Sequence, residues 1–128
     1  MSKILSYKDL IVWQKEMTLA EQVYLITAGY PKSELYSLTD QMRRAAVSIV
    51  SNIAEGKGRE SIQEYLHFLA ISQGSLTELE TQILLSIRLR YLSEIDAETP
   101  LSLCDEIGRM LNTMRTKLKA ASQLTPNP

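Results

Sequence analysis

Cysteine is nearly missing: Cys104 stands alone in 128 residues, so no internal disulfide can staple the chain. Histidine is as scarce. His67 is the only one, which leaves no second imidazole for a metal site and a single candidate base for serine or cysteine chemistry. No apolar run reaches the roughly 18 residues that a membrane span needs, and Met1 to Tyr7 lacks the apolar stretch of a signal peptide. A cytoplasmic location without a membrane partner is expected. Neither sign of charge dominates: 14 Lys and Arg face 15 Asp and Glu, a formal net charge of −1. That excludes a strongly basic nucleic-acid domain but leaves local patches open. Glycine and proline are also few, 5 and 4, and they fall where the apolar rhythm breaks, as punctuation between long helices.

That rhythm is helical, since no stretch alternates with period two. The spacing predicts one domain over 1–128 with helices at about 9–28, 36–56, 61–90 and 99–121. In the first, Leu10, Trp13, Met17, Ala20 and Tyr24 recur at intervals of three and four and are expected to face inward. The second turns Leu38, Met42, Ala45, Ala46, Ile49 and Ile53 inward and is expected to close at Gly56, beyond its C-cap. Ser61 and Glu64 form a capping-box pattern at the start of the third, whose stripe runs from Ile62 to Ile87. Thr99 and Pro100 read as N-cap and first residue of the fourth, which carries Cys104, Ile107, Leu111, Met114 and Leu118. Short connections between such helices favour an all-α, antiparallel up-down-up-down four-helix bundle. Gly74, in mid-helix at a propensity cost of about 1 kcal/mol, is expected to mark a close helix approach beside Met42 and Arg43.

The charges are segregated: Glu60 to Ile87 holds four Glu and no Lys or Arg, whereas Ile107 to Pro128 holds Arg109, Arg115, Lys117 and Lys119 and no acid. Antiparallel folding sets Glu80 opposite Arg109, Glu64 close to Lys119, and Glu21 toward Arg43 and Arg44, so structural ion pairs are expected among Glu21, Arg44, Glu80 and Arg109. The competing reading keeps some cations for phosphates. Arg43 and Arg44, with Lys57 and Arg59 flanking a helix N-terminus, are the candidate nucleic-acid contacts. No Walker spacing accompanies the Gly-Lys-Gly.

Catalysis finds little support. Glu64-Tyr-Leu-His67 has the Glu-x-x-His form used twice in di-iron bundles, but a second histidine does not exist, so neither metal nor other cofactor is expected. Cys104 on an apolar stripe reads as a small core residue, and the chain as no enzyme. Ile11, Val12, Val23, Ile26, Val47, Val50, Ile71 and Leu85 lie off the main stripes. A second apolar face on a bundle helix points to a partner subunit.

Five stretches together resemble the four-helix bundle family encoded by intervening sequences in bacterial 23S rRNA genes, whose relatives include accessory proteins of diversity-generating retroelements. They are Asp9-Leu-Ile-Val-Trp13-Gln, Gln41-Met-Arg43-Arg44-Ala-Ala-Val-Ser48-Ile, Ser51-Asn52-Ile-Ala-Glu55-Gly56, Arg59-Glu-Ser61 and Gly74-Ser75-Leu-Thr-Glu78-Leu-Glu80. The resemblance implies a cytoplasmic bundle without catalytic activity, commonly a ring-shaped homopentamer. From the retroelement relatives it further implies RNA or DNA and a reverse transcriptase as partners of a basic ring surface. A protein-interaction module without a nucleic-acid role is the alternative.

Overall fold

The computed structural model describes residues 6–123. Four helices carry the fold: α1 (Ile11–Thr27), α2 (Leu38–Lys57), α3 (Ile62–Arg88) and α4 (Glu94–Gln123). Short 3-10 turns over Tyr7–Asp9 and Lys32–Glu34 precede α1 and α2, and there is no strand among the described residues. Each helix runs antiparallel to its neighbours and α4 returns to α1, closing a bundle around one apolar core. The inward residues predicted for α2 are all buried, and so are Leu69, Leu76, Leu79 and Ile83 of α3 and Cys104, Ile107 and Leu111 of α4.

The face of α1 agrees with the prediction in part: Leu10, Trp13 and Ala20 pack against the core half-buried. Val12, Glu16, Leu19, Val23 and Thr27 point inward, while Met17 and Tyr24 are 38% and 46% exposed. Two stripes run side by side on this helix, and the buried one includes a glutamate and a threonine. A search for apolar spacing alone therefore finds the edge of the buried face and misses its centre.

Side-chain caps mark the starts of α3 and α4, whereas α1 and α2 begin without one. Ser61 Oγ accepts from Glu64 N–H at 3.1 Å, but the reciprocal box forms instead at Ser6 and Asp9, where Ser6 N–H donates to the Asp9 carboxylate at 3.0 Å. α4 begins at Glu94, five residues before Thr99, because Ser93 accepts from Asp96 N–H at 3.0 Å and caps the helix there. Pro100 consequently sits inside α4, buried, where its missing N–H interrupts the backbone ladder. α3 ends in a Schellman turn: Tyr91 N–H reaches the Ser86 carbonyl and Arg90 N–H the Ile87 carbonyl, both at 3.0 Å. Arg90 holds the left-handed position with φ 64°, unusual for a residue with a side chain.

The glycines exchange their predicted roles. Gly56 does not end α2, which continues to Lys57 and caps at Gly58. It lies buried where α2 meets α3, and a Cβ on it would stand 2.8 Å from Phe68 Cβ and 3.0 Å from Tyr65 Cδ1. Gly74 is exposed, with no atom within 4 Å of such a Cβ. The close approach predicted there is made by serines: Ser48 and Ser75 hydroxyls meet at 2.8 Å, and Ser72 Oγ donates to the Ile49 carbonyl at 2.8 Å. Met42 meets Ser86, whose Oγ lies 3.6 Å from its sulfur, rather than Gly74.

Candidate interaction surface

An apolar groove of about 650 Å³ runs along the outer seam between α1 and α2. Met17, Ala20, Tyr24 and Leu25 supply one wall, and Val47 and Val50 the other. Leu25 is 70% exposed and Val47 43%, although both are aliphatic. The off-stripe residues thus separate into two groups. Val12, Val23 and Val50 are buried and Ile26 packs half-buried against the core, whereas Ile11, Val47, Ile71 and Leu85 remain open. Tyr24 and Val47 also line an adjoining depression with Asp40, Arg43, Arg44 and Ser48, so apolar surface passes directly into charged surface.

Arg43 closes that junction. Its Nε donates to Thr27 Oγ1 at 3.0 Å, and its guanidinium lies 4.7 Å from the Tyr24 ring centroid. Thr27 in turn donates to the Val23 carbonyl of its own helix at 2.6 Å, so that the Arg43 bond ties the end of α1 to α2. Arg44 points outward and pairs with Asp40 at 2.9 Å, one turn back on its own helix. Arg59 pairs with Glu55 at 2.6 Å and stacks over Phe68, 4.8 Å from the ring centroid. Lys57 makes no ion pair among the described residues. Along α2, Lys57 lies about 20 Å from Arg43 and Arg44 at 1.5 Å per residue. One protomer therefore presents two separate basic points rather than a patch.

Among the described residues the expected interhelical ion pairs do not form. Glu21 borders the groove without a cation, and Arg44 has Asp40 instead. Glu80 and Arg109 line one polar cleft between α3 and α4, yet Arg109 bonds Asp105 of its own helix at 2.7 Å. A partner one turn away demands no long side chain held across a gap, which favours these local pairs. The bridges that do cross helices were not read from the sequence: Lys15 to Glu106 at 2.8 Å between α1 and α4, and Arg115 to the Gln73 amide oxygen between α4 and α3.

Other reactive groups are poorly placed for chemistry. Burial, with the Glu80 charge adding, pushes the Cys104 thiol up to about 12. His67 is exposed on α3, edge-on to Phe68. Among the described residues no three His, Cys, Asp or Glu side chains converge as metal ligands, and no helix is long and apolar enough to cross a membrane. The residue that sequence reasoning passed over is Glu16. It is 1% exposed, and burial pushes its carboxyl up to about 8. Its position four after Val12 and three before Leu19 was the available signal.

No curated protein matches the sequence. A solved structure does: a protein of unknown function from the S23 ribosomal protein family of Bacteroides thetaiotaomicron superposes with a TM-score of 0.74 at 22% identity, covering 82% of this chain and 98% of that one. At that identity the likeness speaks for the fold. A sequence profile of the 23S rRNA-intervening sequence proteins matches residues 8–113, nearly the whole bundle. The chain belongs to the 23S rRNA-intervening sequence protein family.

Proposed function

We propose that the protein is a non-enzymatic scaffold whose copies associate through the α1–α2 face, as a ring of five, and hold RNA or DNA on the assembled surface. The supporting observation is the groove of Met17, Tyr24, Leu25 and Val47, whose apolar side chains stand in water in a single chain. Removing such surface from water favours association by about 25 cal/mol for each Å². Joining protomers would also repeat Arg44, Lys57 and Arg59 around one surface, and local pairs such as Arg44–Asp40 are worth only about 0.3–0.5 kcal/mol, so phosphates can displace them. The inert Cys104 and solvent-facing His67 favour a binding role over catalysis.

A protein-only module is the second reading, favoured by the local partners that Arg43, Arg44 and Arg59 already hold. Fluorescence anisotropy with a structured RNA, between about 50 and 200 mM salt, separates the two. The scaffold reading expects affinity to fall steeply with salt. A variant combining Arg44→Gln, Lys57→Gln and Arg59→Gln should bind more weakly at low salt with a shallower slope. RNA binding that is absent, or indifferent to both salt and the three substitutions, supports the protein-only module.

A further inference from the structure

Glu16 of α1 lies in the bundle interior with one carboxyl oxygen, Oε1, that has no hydrogen-bond partner. The other, Oε2, is 3.4 Å from Ser72 Oγ on α3. Ser72 has one hydrogen to give. Its 2.8 Å contact with the Ile49 carbonyl of α2 claims that hydrogen, so the longer contact needs its hydrogen from the carboxylic acid itself. An ionised Glu16 would set one oxygen against no donor and the other against a hydroxyl lone pair.

Nothing nearby compensates a negative charge. No Lys or Arg pairs with Glu16 among the described residues, and the adjacent Lys15 turns to Glu106, the α4 carboxylate at that seam. From α3 the ionisable neighbour is Tyr65, whose phenol is pushed up by burial and then by the Glu16 charge. α2 brings the Ile49 carbonyl, a dipole that repels a carboxylate. The same burial moves the Glu16 carboxyl from 4.5 to about 8.

We propose that Glu16 is a proton-controlled latch: protonated, it completes a Glu16–Ser72–Ile49 chain that joins α1, α3 and α2, and its ionisation loosens α1 from the bundle. The direction follows from linkage. The unfolded chain sheds this proton near pH 4.5 and the folded one near 8. The latch therefore contributes fully below pH 4.5, weakens as pH rises between the two values and levels off above 8.

The test compares urea unfolding of the wild type and Glu16→Gln from pH 5 to 9, with amide exchange of α1 followed in both. The wild-type folding constant should fall by about tenfold per pH unit relative to the variant between pH 5 and 8. Wild-type α1 amides should also lose protection at pH 9 before those of α2 and α3, after correction for intrinsic exchange. Parallel pH curves for the two proteins overturn the proposal. Should the variant not fold, carboxyl carbon resonances of the labelled wild type decide: one glutamate still protonated above pH 6 supports the latch, and all titrating below pH 5.5 refutes it.

Discussion

Replacing Gly56 by alanine adds one methyl group at the place where α2 and α3 come closest. That Cβ would lie 2.8 Å from Phe68 Cβ and 3.0 Å from Tyr65 Cδ1, whereas carbon atoms rest at about 3.5–4.0 Å. Phe68 Cβ is fixed to the α3 backbone, so no rotamer change relieves the clash and the helices must separate. Overpacking of this kind costs about 1–3 kcal/mol, against a helix-propensity gain of about 1 kcal/mol for alanine over glycine. Gly56→Ala should thus lose up to about 2 kcal/mol overall. Gly74→Ala is its control, with the same chemistry in a helix interior but no atom within 4 Å of the new Cβ. It should gain up to about 1 kcal/mol. Urea unfolding followed by circular dichroism at fixed pH reads both, with an unchanged m-value showing that two-state behaviour is retained. A Gly56→Ala protein as stable as Gly74→Ala, or a destabilised Gly74→Ala, would refute this account of the α2–α3 packing.

Arg90→Gly should stabilise the protein by about 1 kcal/mol, since a side chain in the left-handed region costs roughly that much and Arg90 makes no ion pair there. A lower melting temperature for this variant would contradict the Schellman assignment. For Glu16, the interval from 4.5 to about 8 corresponds to about 5 kcal/mol of stability lost between those pH values. Calorimetric melting across pH 4 to 9 should show the wild-type midpoint falling and the Glu16→Gln midpoint holding; equal slopes would contradict the buried-acid account.

Much of this architecture is legible in the sequence, because the main apolar stripe of α2, α3 and α4 is in each case the buried one. Leu38, Met42 and Ile49, or Cys104, Ile107 and Leu111, recur over whole helices at the spacing of one face, and all are buried. α1 misleads for the opposite reason. Its inner stripe contains Glu16 and Thr27, whose burial depends on hydrogen-bond partners: Ser72 of α3 for one, the Val23 carbonyl of the same helix for the other. Thr99-Pro100 imitates a helix start so closely that the true cap, Ser93, is overlooked; only the folded chain shows that α4 accommodates Pro100 inside its length. Gly56 and Gly74 carry no local mark that tells a crowded site from an open one. Of the candidate site, Arg43 and Arg44 do lie beside the exposed face. The wish of each cation for the nearest carboxylate, Asp40 for Arg44 and Asp105 for Arg109, overrides the longer reach assumed from helix order.

Sedimentation velocity tests the central claim, that the α1–α2 face joins copies of the chain. Leu25→Glu and Val47→Glu place a charge in the groove at residues 70% and 43% exposed, so each should alter folding by only about 0.5 kcal/mol. The account predicts a wild-type assembly well above the 14.5 kDa of one chain, reduced to folded monomer by both substitutions. A wild type that sediments as a monomer at high concentration, or an assembly that both glutamates leave intact, would contradict it.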